Sequence, residues 1–460
     1  MRQTVYCHFE KGSESLKAII MAGGRGTRLL PISELAPKPM TRLIGVPLLE
    51  HLIRLLRENG FKELCLTLGH KSNQITEHFG DGSLFGVKIC YMLEDTPLGT
   101  AGGVRACEDF IDGEDFLVIS GDAACDFPLR ELYERHISAR SDLTMALYSH
   151  PTPLPYGTVV TDGNGLILSF IEKPSWNRVV TDFVNTGIYL ISPHVMDLVP
   201  KNTQYDFARD LFPILQKQGY RMTGHEMAGY WCDVGNPESF RRCTMDALNG
   251  KLHALPASGD YFFPGHGVFR MENDVIVIAP CLISREAQIG SGSVIEQSSI
   301  HAGSTIGSNC HIRDCVVDGA AIGGECVLEG GIFCREASLP AGSIARTGAV
   351  FSKDGEFIPE PCSVDTGQAE KKRERGLCRE LACEGRAELM RQLSATLWEA
   401  GADFSDGISL RDGKCHVRIY PLDFESSISI EATGGRESDR LAACKRYSTL
   451  AEGFGGKSRP

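Results

Sequence analysis

The stretch Leu16-Lys-Ala-Ile-Ile-Met-Ala-Gly-Gly-Arg-Gly-Thr-Arg-Leu-Leu-Pro31 decides the fold of this chain. Its apolar run from Ala18 to Met21 predicts a strand that is buried on both faces. Gly23, Gly24 and Gly26 follow this strand directly. They allow a tight turn, and their bare backbone N–H groups can approach a ligand closely.

Two cations follow the glycine loop. Arg28 comes directly after it, and Lys38 comes ten residues later, between Pro37 and Pro39. A buried strand, a glycine loop and fixed cations together indicate a site for a polyanion, of which phosphate is the commonest. A glycine-rich turn with two solvated cations is the simpler alternative, because short motifs also arise by chance.

The composition limits the possible partners. The chain has 460 residues and a formal net charge of -12, which argues against broad binding of nucleic acid or of an anionic membrane surface. No apolar run approaches the ~18 residues that a membrane span requires. The 17 cysteines are scattered without metal-site spacing, so we expect free thiols and a cytoplasmic protein.

Predicted strands and helices alternate after the glycine loop. We expect strands at 63–68, 87–93 and 116–120, and helices at 47–60, 73–79 and 100–110. This alternation predicts a parallel sheet with helices on both faces, and such sheets bind ligands beyond the carboxyl ends of their strands. Asp122 falls at that edge and is a candidate Mg²⁺ ligand, although a turn or a helix cap explains a Gly-Asp pair equally well.

The first part of the chain resembles the sugar nucleotidyltransferases, also called NDP-sugar pyrophosphorylases. Their signature reads G-G-x-G-T-R-L, then a proline and P-K-P, and every position is filled here, by Gly23, Gly24, Gly26, Thr27, Arg28, Leu29, Pro31, Pro37, Lys38 and Pro39. The resemblance implies a Rossmann-like α/β domain, which we assign to residues 16–250. It also implies that the loop from Gly23 to Thr27 binds the nucleotide, and that Arg28 and Lys38 hold its β- and γ-phosphates.

Two further segments resemble the metal and base elements of this family. Trp231-Cys-Asp233-Val-Gly235-Asn-Pro237 matches the family's W-x-D-V-G-x-P, whose aspartate completes a Mg²⁺ site with the counterpart of Asp122. Glu94-Asp-Thr-Pro-Leu-Gly99-Thr100-Ala-Gly102 resembles the loop that reads the base. Gly99 and Thr100 would allow close backbone approach. Glu94 can accept hydrogen bonds from the exocyclic amine and N1–H of guanine, a donor pair that uracil lacks.

The sugar-binding elements of the family also have counterparts. They are a Tyr-Gly turn at Gly157, the Glu172-Lys173-Pro174 segment and the Asn185-Thr-Gly187 segment, the first two flanking a predicted hairpin turn at 162–165. By the resemblance, Lys173 binds the phosphate of a sugar 1-phosphate. Gly157, Glu172 and Asn185 contact the sugar hydroxyls.

The implied reaction is attack by a sugar 1-phosphate oxygen on the α-phosphorus of a nucleoside triphosphate, with pyrophosphate leaving. The second pKa of a phosphate monoester lies near ~6, so the nucleophile is already an anion at neutral pH. The reaction therefore requires alignment and charge neutralisation rather than a general base.

The sequence pattern changes after residue 250. Ile289-Gly290, Ile306-Gly307 and Ile322-Gly323 recur at intervals of 17 and 16 residues, with aliphatic residues between them about every sixth position. This hexapeptide period resembles a left-handed parallel β-helix, which we assign to residues 251–350. An irregular glycine-rich β region is the alternative. We interpret the β-helix as a packing, oligomerising or regulatory surface.

The end of the chain divides into a linker and a small domain. Residues 351–385 are polar and charged, and we assign them to a linker. Residues 386–452 resemble the C-terminal domain of the phosphomannomutase/phosphoglucomutase family, which implies a small α+β fold. The family's R-P-S-G-T-E-P loop here reads Tyr420-Pro421-Leu-Asp-Phe-Glu-Ser426, so we expect a degenerate remnant without mutase activity.

These features predict an Mg²⁺-dependent, homo-oligomeric nucleotidyltransferase whose substrates are a nucleoside triphosphate and a sugar 1-phosphate. GTP and mannose 1-phosphate are favoured, because the Glu94 loop and the mutase-like segment both point that way. Two alternatives stay open. One is a glucose-1-phosphate enzyme that uses UTP or another triphosphate, and the other is a non-catalytic subunit that binds an NDP-sugar and regulates a partner.

Overall fold

The computed structural model describes residues 4–5, 15–151, 153–174, 181–253, 261–264, 266–357, 377–382, 386–397, 408–421, 427–434, 436–455 and 457–458. The chain forms two compact units. The first contains residues 1–134, 188–206 and 228–362, and the second contains residues 135–187, 207–227 and 363–460.

A parallel sheet forms the centre of the first unit. Leu16–Ala22 lies between Phe61–Leu68 and Phe116–Ser120 and runs parallel to both, and Lys88–Leu93 continues the sheet beyond Phe61–Leu68. Ala18, Ile19 and Ile20 are fully buried, which confirms the prediction of a strand covered on both faces. Because all four strands run parallel, their carboxyl ends lie at one edge of the sheet.

Helices and short elements cover this sheet. The predicted helix at 100–110 is divided into Gly99–Arg105 and Glu108–Ile111, because the backbone leaves helical geometry near Cys107. The other elements of the unit before the β-helix are Thr4–Val5, Thr27–Leu29, Lys38–Met40, Arg42–Leu43, Val46–Pro47, Leu48–Glu58, Ser72–Phe79, Ser83–Phe85, Ala123–Cys125, Pro193–Leu198, Trp231–Asp233 and Pro237–Leu248. Helix Leu129–Ala139 begins in this unit, and its residues from 135 onward belong to the second unit.

A parallel β-helix with three faces completes the first unit. The strands of its first face are Leu282–Ser284, Ser299–Ile300, Val316–Val317, Ile332–Phe333 and Val350–Ser352. Those of the second face are Ile276–Ile278, Val294–Glu296, His311–Arg313, Val327–Glu329 and Ile344–Ala345. Those of the third face are Gln288–Ile289, Thr305–Ile306, Ala321–Ile322 and Ser338–Leu339. Hairpins at Tyr261–Phe262, Val268–Arg270 and Gly355–Phe357 add antiparallel strands at the two ends of the stack.

The aliphatic residues of the hexapeptide pattern fill the interior of this β-helix. Successive coils align Ile283, Ile300, Val317 and Phe333 on the first face. The equivalent stack of the second face contains Val277, Ile295, Ile312 and Leu328. Every one of these side chains is at most 2% exposed. The predicted repeat is therefore confirmed as an apolar column on each of these two faces.

The glycines of the repeated Ile-Gly pairs allow the coils to approach each other. A Cβ on Gly307 would fall on the backbone of Gly323 and Gly324 in the next coil, and one on Gly290 would fall on Gly307 and Ser308. The interval of 16 or 17 residues thus has a steric cause, because each corner glycine lies directly over the next one.

The outer side of the first face packs against the parallel-sheet part of the unit. Leu282, Val316, Ile332 and Val350 are at most 4% exposed. They belong to one apolar cluster with residues of the sheet part, among them Leu29, Leu43, Leu48, Ala124, Val234 and Phe240. Arg241 of helix Pro237–Leu248 forms an ion pair with Asp314 of the β-helix at the edge of this cluster.

The second unit contains a sheet and a small α+β fold. Met222–Glu226 runs parallel to Leu143–Leu147, and Thr158–Thr161 and Ile167–Ile171 form the predicted hairpin. The Asp162 carboxylate accepts the backbone N–H groups of Asn164 and Leu166, which closes its turn. The remaining elements of this part are Phe183–Ile191, whose last four residues belong to the first unit, Phe207–Leu211 and Phe212–Gln218.

The C-terminal part is a five-stranded antiparallel sheet with two helices. The strands are Leu377–Ala382, Ile408–Asp412, Cys415–Pro421, Ser427–Gly434 and Lys457–Ser458, and the helices are Arg386–Leu397 and Glu437–Gly453. This confirms a small α+β fold. Strand Leu377–Ala382 falls in the range assigned to a linker, and its ladder with Ser427–Gly434 makes it part of the sheet. The altered loop at 422–426 lies outside the described residues, and the mutase resemblance stays a prediction.

The structure also describes the cysteines and the apolar character of the helices. Every cysteine whose side chain the structure describes is a free thiol. Among the described residues, no helix has the length and apolar character that crossing a bilayer would require.

Replacing Gly307 by alanine tests the stacking of the corners. We expect the free energy of unfolding to fall by about 1–3 kcal/mol, because the added methyl group forces adjacent coils apart. Denaturant unfolding of the full chain measures it. Gly163→Ala is the matched control, since no atom lies within 4 Å of its Cβ position. Equal stability of the two variants would contradict the steric explanation.

Candidate active site

The glycine loop is held in shape at the carboxyl end of strand Leu16–Ala22. Gly26 has a φ of 65°, a left-handed conformation that favours glycine, and its carbonyl accepts a hydrogen bond from the Ser33 hydroxyl at 2.8 Å. Gly24 is exposed, and a Cβ placed on it would have no atom within 4 Å. The loop therefore presents open backbone next to a fixed turn.

The short helix Thr27–Leu29 has one side chain in the core and two in solvent. Leu29 is fully buried in the apolar cluster shared with the β-helix, whereas Thr27 and Arg28 are exposed. Burial of the leucine fixes the helix, so the arginine beside it is presented to solvent from an anchored position.

Two aspartates from distant parts of the chain meet beside this loop. Strands Ala123–Cys125 and Trp231–Asp233 pair antiparallel and place Asp233 opposite Ala123. The Val234 N–H donates to the Asp122 carbonyl at 3.3 Å, which continues the pairing by one residue. The structure thus brings together the two carboxylates that the sequence assigned to one metal site.

Lys38 lies between these carboxylates. Its Nζ is 2.6 Å from Asp122 Oδ2 and 3.6 Å from Asp233 Oδ1, and only 9% of its side chain is exposed. The Ser120 hydroxyl donates to Asp122 Oδ1 at 2.5 Å. The expected position of Lys38, on the β- and γ-phosphates of a nucleotide, is therefore not its position in the free protein.

The two carboxyl groups differ in pKa. Burial raises the pKa of Asp122, but the attraction and hydrogen bond of Lys38, with the hydrogen bond from Ser120, outweigh it, and the pKa lies below its usual value. Burial and then repulsion by Asp122 raise the pKa of Asp233, and Lys38 and Arg28 only partly offset this. A single ammonium does not fully neutralise the pair, so the site favours further positive charge.

The pair suits a divalent cation that is shared with a substrate. Carboxylate oxygens are the ligands Mg²⁺ prefers, and the pair already holds one cation, the Lys38 ammonium. In the described part of the chain, no cluster of three or more His, Cys, Asp or Glu side chains could hold a metal on its own. Asp122 and Asp233 would hold Mg²⁺ together with phosphate oxygens, and the ion would neutralise charge on those phosphates.

Glu94 faces inward from the predicted base loop. Its carboxylate accepts the Leu98 N–H at 3.1 Å, and its Oε1 lies 3.6 Å from the Cβ position of Gly23 and 2.6 Å from that of Gly103. Burial raises the pKa of Glu94, and the hydrogen bond from Leu98 lowers it in part. The carboxylate thus lies against the glycine loop and is not a solvated residue at a strand end.

A second hydrogen-bonded contact fixes the rest of the base loop. Gly99 has a φ of 72°, and its Cβ position is 2.6 Å from the carbonyl oxygen of Tyr205. That carbonyl accepts the N–H groups of Ala101 and Gly102, both at 3.0 Å. The Thr100 hydroxyl donates to Asp206 Oδ2 at 2.8 Å, and this hydrogen bond holds the exposed side chain in place.

The predicted sugar-binding residues meet in the second unit. The Asn185 N–H donates to the Gly157 carbonyl at 2.8 Å, and the Lys173 N–H donates to the Tyr156 carbonyl at 3.1 Å. A Cβ on Gly157 would be 2.8 Å from Glu172 Oε2, which explains the glycine. The Lys173 side chain is exposed, and its φ of 43° shows a constrained backbone.

Several supporting residues carried no sequence signal of their own. Ser120 orients Asp122 but is only the last residue of a predicted strand, and Tyr205 acts through its backbone carbonyl. The Gly102-Gly103 pair is the one hint that sequence could offer, because Gly103 leaves room for the Glu94 carboxylate.

Comparison with known proteins identifies the family of the chain. Residues 17–250 match the family model described as nucleotidyl transferase. A UTP–glucose-1-phosphate uridylyltransferase from Synechocystis is 31% identical, over 66% of this chain and 87% of its own. A mannose-1-phosphate guanylyltransferase from Mycobacterium tuberculosis is 32% identical, over 65% and 84% respectively. A mannose-1-phosphate guanylyltransferase catalytic subunit beta from Dictyostelium discoideum is 33% identical, over 53% and 69%. The chain belongs to the nucleotidyl transferase family, among the sugar-1-phosphate nucleotidyltransferases.

Proposed function

We propose that this enzyme forms GDP-mannose and pyrophosphate from GTP and mannose 1-phosphate, with Mg²⁺ as cofactor. The observation that carries the proposal is the pair of carboxylates, Asp122 and Asp233, held around a cation beside an open glycine loop. That combination suits a triphosphate, which needs backbone N–H donors and a divalent ion together.

The residues of the first unit act on the triphosphate. The exposed backbone N–H at Gly24 and the guanidinium of Arg28 donate hydrogen bonds to the phosphates of the triphosphate. These contacts neutralise the charge that develops on the leaving pyrophosphate and so favour its departure. Asp122 and Asp233 hold the metal, which supplies charge neutralisation when bound. No general base is assigned, because the attacking phosphate oxygen is already ionised.

The residues of the second unit act on the sugar phosphate. Lys173 pairs with its phosphate, and the exposure of its side chain leaves the ammonium accessible to a ligand. Glu172, Asn185 and the backbone of Gly157 form one group around the sugar hydroxyls. The hydrogen bond from the Asn185 N–H to the Gly157 carbonyl helps to pre-organise this group, which lowers the entropy cost of orienting the nucleophile.

The preference for guanine depends on Glu94. A carboxylate held beside the glycine loop accepts hydrogen bonds, and guanine offers adjacent N1–H and N2 amine donors. The raised pKa of Glu94 shows that its charge is incompletely compensated in the free protein, so donors from a base would stabilise it. The guanylyltransferase names of two relatives support the same base and support mannose as the sugar.

A glucose-1-phosphate uridylyltransferase is the second candidate, because the relative from Synechocystis carries that name. A non-catalytic regulatory subunit is the third. Against it, Arg28, Lys38, Asp122, Lys173 and Asp233 are all present. We also infer a cytoplasmic location, since free thiols persist in a reducing compartment.

Asp122→Asn tests the assignment of the site. We expect turnover to fall by more than about 100-fold, because the amide keeps the shape but loses the charge that holds the metal. Pyrophosphate release measures it. Asp109→Asn, which changes an exposed aspartate outside the predicted site, is the control and should retain activity. Full activity of a correctly folded Asp122→Asn enzyme would remove the basis of the mechanism.

A matrix of triphosphates and sugar 1-phosphates tests the substrates. We expect pyrophosphate release to be fastest with GTP and mannose 1-phosphate. Glu94→Gln should lower kcat/KM for GTP by about 10- to 100-fold, because an amide cannot accept both guanine donors. Activity with UTP and glucose 1-phosphate alone would show that the second candidate is correct. No activity with any pair would favour the regulatory subunit.

We propose a homo-oligomer formed through the second face of the β-helix. One outward column of this face is mainly apolar and contains Ile276, Val294, His311, Val327 and Ile344. Val327 is 46% exposed and Ile344 is 72% exposed. The adjacent column alternates in charge, and Arg313 lies 3.7 Å from both Glu296 and Glu329. A second copy displaced by one coil can therefore place acid against base in both directions, which makes the face self-complementary.

A double substitution, Val327→Glu with Ile344→Glu, tests this surface. We expect the wild type to have the mass of a dimer or larger oligomer and the variant to have that of a monomer, because two carboxylates from each copy would be buried together. Light scattering after size exclusion measures the mass. Leu84→Glu is the control, since Leu84 is 92% exposed and lies outside this face. A monomeric wild type, or an unchanged mass in the variant, would rule the surface out.

A further inference from the structure

Lys38 occupies the space that a divalent ion needs. Its Nζ lies 2.6 Å from Asp122 Oδ2 and 3.6 Å from Asp233 Oδ1, so the ammonium bridges the two carboxylates. Mg²⁺ binds oxygen at about 2.1 Å and requires near-octahedral geometry. An ion bound to the same Asp122 oxygen would therefore lie within a few ångströms of the ammonium, where the two positive charges repel strongly.

The backbone around Lys38 is fixed, and its side chain is the part that can move. Lys38 begins the short helix Lys38–Met40, its N-cap is Pro37 and Pro39 follows it. Its Cβ packs against the turn at Gly26, at 3.0 Å from the Cβ position of that glycine. The flexible four-carbon stem of lysine can still redirect the ammonium without any change in this backbone.

Arg28 provides a useful contrast. It is exposed, and its positive charge acts on Asp233 through space. Lys38 instead makes direct contact with a carboxylate and is buried. Replacing each cation in turn therefore distinguishes a general electrostatic effect from occupation of the metal position.

From this geometry we infer that Lys38 is an internal counter-ion that competes with the divalent metal for Asp122 and Asp233, and that it leaves them for the phosphates when the triphosphate binds. The inference rests on the metal roles proposed above. It gives Lys38 two successive partners, the carboxylates in the free enzyme and the β- and γ-phosphates in the complex.

This exchange makes binding of metal and triphosphate cooperative. Without a triphosphate, an incoming ion must displace an ammonium from a buried pairing, and no phosphate is present to receive that ammonium. With a triphosphate, the phosphate oxygens accept the ammonium and also ligate the metal. The free enzyme therefore binds metal weakly, and the metal enters together with its nucleotide.

Binding of Mn²⁺ to the nucleotide-free, full-length protein tests the inference. Electron paramagnetic resonance measures free Mn²⁺, which serves as the probe for the Mg²⁺ position. We expect Lys38→Met to bind Mn²⁺ at least about tenfold more tightly than the wild type, because the ion no longer has to displace a cation. Lys38→Arg, which keeps the positive charge, should remain as weak as the wild type.

Two controls locate the effect. Arg28→Met should strengthen Mn²⁺ binding by less than about threefold, since a solvent-exposed charge is screened. Adding Asp122→Asn to Lys38→Met should remove the tight binding, which shows that the ion is on this carboxylate. Thermal denaturation identifies any variant that does not fold, and Mn²⁺ should raise the Tm of Lys38→Met more than that of the wild type.

Two results would overturn the inference. One is a folded Lys38→Met protein that binds Mn²⁺ no more tightly than the wild type, and the other is an equal gain in Arg28→Met. Neither result depends on turnover. If the wild type showed no activity with any substrate pair while Lys38→Met bound Mn²⁺ tightly, the proposed function would fail and the competition would stand.

Discussion

The contact of one ammonium with two carboxylates determines how the catalytic part of this protein is built. Asp122 and Asp233 carry like charges and approach each other because two short strands pair there, and such a pair is stable only with a cation between them. The Pro-Lys-Pro segment and the ends of the strands place that cation. In the free enzyme the cation is Lys38, and the proposed mechanism requires a metal in the same position.

Local patterns in the sequence predicted most of the fold. The apolar run at Ala18–Met21, the hairpin turn at Asp162 and the Ile-Gly pairs of the β-helix each reflect a constraint among near neighbours or an exact repeat. Strand Leu377–Ala382 was not predicted, because its stability comes from pairing with Ser427–Gly434, which a charged local sequence does not reveal. The break near Cys107 was not predicted either, because the local sequence does not show where the backbone leaves helical geometry.

The candidate site also combines features that the sequence indicates with contacts that only the folded chain shows. The resemblance to the family was enough to propose Asp122 with Asp233 and, separately, Gly157 with Glu172, and each of these pairs lies close together in the structure. Sequence could not show that Lys38 is already bound to the aspartates, because that contact depends on how three distant segments fold together. Nor could it show Ser120 or the Tyr205 carbonyl, which act through position alone. Resemblance to a family gives the parts of a site, and the structure shows which partner each part has before the substrate arrives.

Because the first face of the β-helix is buried, the end of the family match is not the end of a structural unit. The family match ends at residue 250, yet Leu282, Val316, Ile332 and Val350 complete a core that also contains Leu29 of the signature and Val234, the residue after Asp233. Cutting the chain at the end of the match would expose this shared core to water. The nucleotidyltransferase segment and the β-helix are separate in sequence, but one apolar core joins them.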